Sequence, residues 1–148
     1  MTFWETGGSA ILRRAEEIAT DILAPQAERI DRDAVWPETS LRTLLSEGFG
    51  GLVVPRQYGG KGQGLQTLAR VCELLSKGCA STGVCYGMHC VGSSVISVNA
   101  TKSQQDGFLT PICQGKHITT LSLSETGTGV HFYLPQTTME AVSDDAFS

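Results

Sequence analysis

The chain has 148 residues, a formal net charge of −4 and an apolar fraction of 41%. This length fits one domain or slightly more, and the apolar fraction is sufficient for a packed core, which excludes a wholly disordered chain. The acidic charge provides no basic surface for nucleic acid, and no apolar run is long enough to span a membrane. Because the first residues, MTFWETGG, lack the regions of a signal peptide, the sequence predicts a cytoplasmic protein.

The five cysteines show no pattern typical of a disulfide framework or a zinc site. They are odd in number, and none is spaced as CxxC. Cys85 and His89 lie four residues apart, so they could share one helix face, and Cys90 follows directly. A metal site built on these residues would lack a second pair of ligands, and core packing is therefore the favoured interpretation.

Apolar periodicity predicts a long first helix. Apolar residues recur at helical spacing from Ile11 to Ile30, charged side chains occupy the other faces, and Ser9 is a candidate N-cap. Pro25 interrupts this pattern without ending it. Because the apolar stripe continues beyond the proline, we expect a kink there and a helix end near Arg32.

A second helix and a glycine-rich loop follow. The helix is predicted from Pro37 to Gly48, since proline suits a first helical position and glycine a C-terminal one. The loop Arg56–Gly64 has the composition of a surface turn. Its glycines do not form a P-loop, because no Ser or Thr follows Lys61, and they lack the strand–turn–helix context of a dinucleotide-binding motif.

Three further helices are predicted before the period changes. They run over Leu65–Lys77, from a cap at Ser81 or Thr82 to about Asn99, and over Lys102–Gly115. The second of these three is almost free of charge and apolar on every side. Such a helix is predicted to be buried on all sides.

After Gly115 the pattern becomes that of β-structure. Residues 118–124 alternate between hydroxyl-bearing and apolar side chains, Gly127–Gly129 form a turn, and Thr137–Val142 are predicted to return as a second strand. One hairpin cannot form an independent sheet. The sequence therefore predicts a mostly α fold, with a helical domain over residues 1–116 and the beginning of an antiparallel β-domain over residues 117–148.

Several separated motifs, in this order, resemble the amino-terminal half of the acyl-CoA dehydrogenases. The segment Gly48–Gly62 resembles the end of that family's first helical section, Ala80–His89 the start of its buried helix, and Leu121–Gly129 the start of its middle β-domain. The resemblance covers Ala10 to Phe147. It is carried by the stretches WPE, LLSEGFGGLVVPRQYGGKGQG, ASTGVCYGMH, FLTPICQGK and TLSLSETGTG.

This resemblance implies an FAD-dependent oxidoreductase that introduces a double bond next to the carbonyl of an acyl-CoA thioester. A carboxylate removes the α-proton, and the flavin N5 accepts the β-hydrogen as hydride. The family's catalytic glutamate belongs to its carboxyl-terminal domain, so the resemblance assigns no catalytic residue to this sequence. It further implies a homo-oligomer, dimer or tetramer, for the full-length protein, and an inactive isolated chain.

The resemblance also assigns binding residues. The strand that contacts the flavin in the family corresponds to Leu121, Leu123 and Ser124, where serine replaces the usual threonine and keeps its hydroxyl. Glu125 corresponds to a structural turn residue and not to the catalytic base. In the buried helix, Met88 is expected to line the acyl pocket, since its thioether adapts to a hydrocarbon chain. Tyr86 and His89 are further candidates on this helix, with core packing the favoured role for His89.

The substrate-contacting turn departs from the family pattern. Gly127 and Gly129 are present, but Thr126 stands in place of the usual proline, Val130 in place of a serine that contacts the acyl-CoA, and His131 in place of aspartate. We keep Gly129 and Val130 as substrate-binding candidates. The loss of one hydrogen bond leaves open a flavin-dependent monooxygenase of the same fold. Because the family's catalytic glutamate has no counterpart here, a non-catalytic truncated product is the other alternative.

Overall fold

A computed structural model describes residues 9–129, 131–143 and 146–147. Five helices fill the described part up to residue 113, which confirms the predicted helical domain, and a short antiparallel strand pair lies near the end. In this pair Ala141 lies opposite Phe147 and Ser143 opposite Ala146. The elements are α1 (Ser9–Ile18, Ala19–Leu23 and Ala24–Arg32), α2 (Glu38–Ser46), a 3₁₀ turn (Arg56–Tyr58), α3 (Leu65–Gly78), α4 (Ala80–Asn99), α5 (Lys102–Cys113), β1 (Ala141–Ser143) and β2 (Ala146–Phe147).

Helix α1 passes through Pro25 and ends at Arg32, as predicted, but a π turn takes the place of a simple kink. In this turn the Ala24 N–H donates to the carbonyl of Ala19, five residues earlier. Pro25 has no N–H, and a proline ring crowds the carbonyl four residues before it. The wider π turn accommodates the ring without breaking the helix.

Helix α3 packs between α1 and α4 in the centre of the helical block. Its side chains Val71 and Leu75 are fully buried in the core. At its end, Gly78 lies directly against the π turn of α1: a Cβ added there would overlap the carbonyl oxygen of Ala19 and lie 2.9 Å from its carbonyl carbon. The two helix backbones therefore touch at this point.

Helix α4 is buried on one face only, so the prediction of burial on all sides is wrong. Tyr86 and His89 are 1% and 2% exposed, whereas Val84 and Val98 are 66% and 79% exposed. The sequence is apolar around the whole helix, but only the inner face has neighbouring elements to pack against. Within the described ranges, no helix has both the length and the apolar character needed to cross a bilayer.

Two helix starts differ from the sequence-based boundaries. Helix α4 begins at Ala80, before the predicted caps, and Thr82 instead donates its hydroxyl to the Cys79 sulfur at 3.2 Å. Helix α2 begins at Glu38, with Pro37 in the N-cap position. Both shifts are of the size expected for helix ends.

The two predicted strands are not formed as expected. Residues 118–124, the first predicted strand, run without regular secondary structure. The second predicted strand, Thr137–Val142, is formed only from Ala141 onward, as β1. A strand requires a neighbouring backbone to complete its hydrogen-bonded ladder. Residues 118–124 find no such neighbour in the part of the chain that the structure describes.

Candidate functional site

The segment Leu121–Ser124, the candidate cofactor strand, lies near the surface with its polar backbone open. Leu123 is 50% exposed, Ser124 is exposed and Leu121 is half-buried. Among the described residues, no hydrogen bond engages the backbone N–H or C=O groups of these four residues. An open row of donors and acceptors beside a serine hydroxyl fits the polar edge of an isoalloxazine ring.

The turn after this segment is held by its own backbone. The N–H groups of Thr128 and Gly129 both donate to the carbonyl of Glu125, at 3.3 and 3.0 Å. Gly129 has a positive φ of 52°, a conformation that favours glycine. The hydroxyl oxygen of Thr128 is buried and finds no partner among the described residues. Val130, the other substrate-binding candidate in this turn, lies outside the described residues.

The carboxylate of Glu125 joins this turn to the segment before β1. Its oxygens accept the backbone N–H of Gln136 at 2.7 Å and that of Thr137 at 3.1 and 3.2 Å. These hydrogen bonds, that from Gln136 above all, lower the pKa of Glu125. A general base for carbon acids is tuned in the opposite direction. The geometry thus agrees with the structural role expected for Glu125.

At low pH the hydrogen bonds from Gln136 and Thr137 to the Glu125 carboxylate should be weakened. Because the folded pKa of Glu125 lies below its ordinary value of 4.5, its contribution is present above pH 4.5 and is lost as the pH falls through the folded pKa. We expect the amide NMR shifts of Gln136 and Thr137 to titrate together in that range. Glu125→Gln should abolish this titration, whereas Glu140→Gln, at an exposed glutamate of the same segment, should leave it unchanged. Titration that persists in Glu125→Gln would contradict the assignment.

Met88 lines a cavity of about 250 Å³ between α4, the segment after α1 and the linker that follows α5, residues 117–120. The cavity wall is mainly apolar, and residues 118–120 of the linker form one side of it. The candidate cofactor strand, Leu121–Ser124, follows these residues directly in the chain. The lining residues are Trp36, Val84, Cys85, Met88, Ile118, Thr119 and Thr120. Gly129 is not among them, so the structure does not bring the two described substrate-binding candidates into one cavity.

Tyr86 and His89 point away from this cavity, into the helical core. The Tyr86 hydroxyl donates to the carbonyl of Phe49 at 3.0 Å, and the Nε2 atom of His89 lies 3.0 Å from the carbonyl oxygen of Gly50. The Nδ1 atom of His89 accepts the backbone N–H of Thr119 at 3.2 Å. Both ring nitrogens are thus occupied, which confirms the core role preferred for His89 and leaves the imidazole no lone pair for a metal.

The neighbouring thiols are also ordinary core groups. Burial raises the pKa of the Cys90 thiol to about 12, and it raises the pKa of Cys85 as well. Both are unpaired cysteines and stay protonated near neutral pH. A reactive or metal-binding thiolate requires the opposite shift.

A second groove, which the sequence analysis did not identify, lies on the other side of the linker. It has a volume of about 350 Å³ and is lined by Ile96, Ala100, Gln104, Phe108, Ile112, His117, Ile118 and Thr119. The groove is bordered by Phe108, an apolar side chain that is nevertheless 47% exposed. Ile118 and Thr119 line both cavities, so the linker forms the partition between them.

Comparisons with known proteins cover the helical block and the linker. The family model described as "Acyl-CoA dehydrogenase, N-terminal domain" matches residues 8–116. The mitochondrial isovaleryl-CoA dehydrogenase of Solanum tuberosum is 32% identical over 118 residues, a match that covers 76% of this chain and 28% of that protein.

Solved structures show the same fold. The butyryl-CoA dehydrogenase of Megasphaera elsdenii superposes with a TM-score of 0.81 at 24% identity, over 94% of this chain and 38% of that one. The FAD complex of PigA gives a TM-score of 0.75 at 22% identity, over 90% of this chain and 36% of that one. The matched part of this chain therefore spans between 28% and 38% of the length of these three proteins.

Proposed function

Because this chain belongs to the acyl-CoA dehydrogenase family through its amino-terminal domain, we propose that it supplies the acyl-binding wall and one flavin-binding edge of an FAD-dependent oxidoreductase. The proposed reaction is α,β-dehydrogenation of an acyl-CoA thioester. Residues 1–116 would be the helical domain, and residues 117–148 the beginning of the β-domain. We propose that the complete enzyme is a homo-oligomer.

The observation that carries this proposal is the position of the Met88 cavity beside the candidate cofactor strand. Its lining is mainly apolar, which suits a hydrocarbon chain and not a sugar or a nucleotide. The unbranched thioether of Met88 can adjust to acyl groups of different shape. The linker that closes the cavity continues directly into Leu121, so an acyl group and a flavin edge bound at these two places would be neighbours.

On the cofactor side, we assign the polar contacts to Leu121, Leu123 and Ser124. The exposed backbone groups of these residues and the Ser124 hydroxyl can hydrogen-bond the edge of the ring. When bound, FAD supplies the acceptor for hydride. On the substrate side we assign Gly129 and Val130, and the unpartnered hydroxyl of Thr128 supports a polar ligand at this turn.

The chain alone should be inactive. No described carboxylate lines the Met88 cavity, so the α-proton has no base there. Loss of a general base alone lowers a rate by about 10²–10⁴. We expect the purified 148-residue chain neither to retain FAD nor to reduce an acceptor dye with acyl-CoAs, whereas a longer product that contains this sequence should do both.

The test measures flavin absorbance and then anaerobic dye reduction with acyl-CoAs of several chain lengths. In the longer product, Met88→Trp should fill the cavity and lower kcat/KM for the longest accepted acyl-CoA by at least about tenfold more than for the shortest. Met139→Trp is the matched control, because Met139 is 73% exposed.

Three outcomes would contradict the proposal. A yellow 148-residue chain that bleaches with one acyl-CoA would show that the isolated chain is already competent. Equal effects of Met88→Trp on all chain lengths would remove Met88 from the acyl pocket. Oxygen-dependent product formation without a dye would indicate the monooxygenase alternative.

A further inference from the structure

His89 joins three segments that are far apart in the sequence. It lies on α4 and is 2% exposed. Its Nε2 atom lies 3.0 Å from the carbonyl oxygen of Gly50, 39 residues away in the chain, and its Nδ1 atom lies 3.2 Å from the backbone nitrogen of Thr119, 30 residues away. No other described side chain connects α4 to the linker by a hydrogen bond to the linker backbone.

The two partners determine the protonation state of the ring. The Thr119 N–H can only donate, so Nδ1 must carry a lone pair, and the Gly50 carbonyl can only accept, so Nε2 must carry the proton. This is the neutral Nε2–H tautomer. Burial favours the same state, because it lowers the pKa of His89.

A second contact lies one turn further along α4, at Gly92. A Cβ added to Gly92 would lie 2.5 Å from the Thr119 hydroxyl oxygen and 2.9 Å from the Thr120 carbonyl oxygen. The linker thus rests on the bare backbone of α4 at Gly92 and is hydrogen-bonded to the helix at His89. These two contacts determine where the linker lies along α4.

We propose that His89 is a positioning residue, whose neutral imidazole holds the linker 117–120 on α4 and thereby places the start of Leu121–Ser124. Because Ile118 and Thr119 separate the two cavities, the same hydrogen bond maintains the partition between them. The effect of this placement on flavin binding rests on the proposed function, whereas the hydrogen bond between His89 and Thr119 is independent of it.

The hydrogen bond between His89 and the Thr119 backbone, which we call the clamp, should respond to pH. The titratable groups near His89 in the sequence and on the segments around it are Cys85, Tyr86 and Cys90 on α4, Cys113 on α5, Glu47 after α2, Lys116 directly before the linker and His117 in it. Burial raises the pKa of both Tyr86 and Cys90, so neither is charged near neutrality, and Glu47 is paired with Arg14. With its pKa lowered, His89 contributes fully above its ordinary value of 6.5, and this contribution is lost as the pH falls through the folded pKa.

The first test uses the unmodified 148-residue chain. Long-range ¹H–¹⁵N NMR should identify His89 as the neutral Nε2–H tautomer at neutral pH, and the Thr119 amide should lose its protection from exchange, after correction for intrinsic rates, at the midpoint of the His89 titration. An Nδ1–H tautomer, or a Thr119 amide that does not follow His89, would overturn the proposal. No variant has to fold for this result.

The second test separates the two ring nitrogens. In His89→Asn the side-chain oxygen can take the place of Nδ1, and in His89→Gln the side-chain N–H₂ can take the place of Nε2. We expect His89→Asn to keep the Thr119 protection without its pH dependence and His89→Gln to lower that protection by about tenfold, as for one lost buried hydrogen bond. His117→Asn, the same substitution at an exposed histidine of the linker, should change neither property. Equal loss in both His89 variants would indicate packing alone and contradict the clamp.

The third test distinguishes this inference from the proposed function. FAD affinity is measured in a longer product that carries His89→Asn or His89→Gln. We expect His89→Gln to bind FAD more weakly and His89→Asn to bind it as the unmodified protein does. A Thr119 response with unchanged FAD affinity in both variants would leave the clamp in place and contradict the placement of the cofactor strand.

Discussion

Replacing Gly78 by alanine is expected to lower the free energy of unfolding by about 1–3 kcal/mol, as for an overpacked contact. The added methyl group would overlap the carbonyl oxygen of Ala19 and lie 3.0 Å from its Cα atom. Both atoms belong to a helix backbone, which cannot move aside as the end of a flexible side chain can. Helices α1 and α3 would have to separate, and urea denaturation measures the loss.

The matched control is Gly107→Ala in α5. A Cβ added to Gly107 meets no atom within 4 Å, and the position lies inside a helix. Alanine there should stabilise the chain by about 0.5–1 kcal/mol, since glycine is costly in a helix interior. Opposite signs for the two substitutions are the expected result. If Gly78→Ala also stabilised the chain, the contact between the π turn and α3 would not exist.

Truncating Leu75 to alanine should cost about 2–5 kcal/mol. Leu75 is fully buried on α3, between α1 and α4, so its removal leaves a cavity that the neighbouring helices cannot close without moving. The urea midpoint should fall without a change in the slope of the transition.

Leu65→Ala provides the comparison, because it is the same substitution in the same helix. Leu65 is 80% exposed, and a surface substitution of this kind is usually within about 0.5 kcal/mol of neutral. Similar losses in both variants would mean that α3 does not form the centre of the helical block.

The five helices could be predicted because each has an apolar stripe or a recognisable end. The orientation of α4 could not. Its sequence is apolar on every side, so nothing in it distinguishes the face that packs inside, with Tyr86, from the face that carries Val84 and Val98. Only the positions of neighbouring helices decide between them.

In the candidate site, too, some features could be predicted from the sequence and others could not. The turn at Glu125 could be predicted from its glycines and from the family resemblance, because it is local. The two bonds of His89 could not, since both partners are backbone groups, and any residue type at Gly50 or Thr119 presents the same carbonyl or, proline excepted, the same N–H. The alternation of residues 118–124 is that of a strand, but a strand forms only where a neighbouring backbone pairs with it.

The π turn of α1 also determines which residues of that helix can face the core. Apolar positions Ala15, Ala19, Leu23 and Ala27 repeat every four residues, and in a regular α-helix each such step advances the side chain by about 40° beyond a full revolution. Three steps would turn the last position about 120° from the first. The π turn between Ala19 and Leu23 rotates the chain less per residue than an α-helix does. This cancels part of the accumulated rotation, so Ala27 still packs against the core. If this turn became regular α-helix with no residue removed, everything beyond it, Ile30 included, would rotate out of phase with the interior. Deleting one residue there would restore that phase.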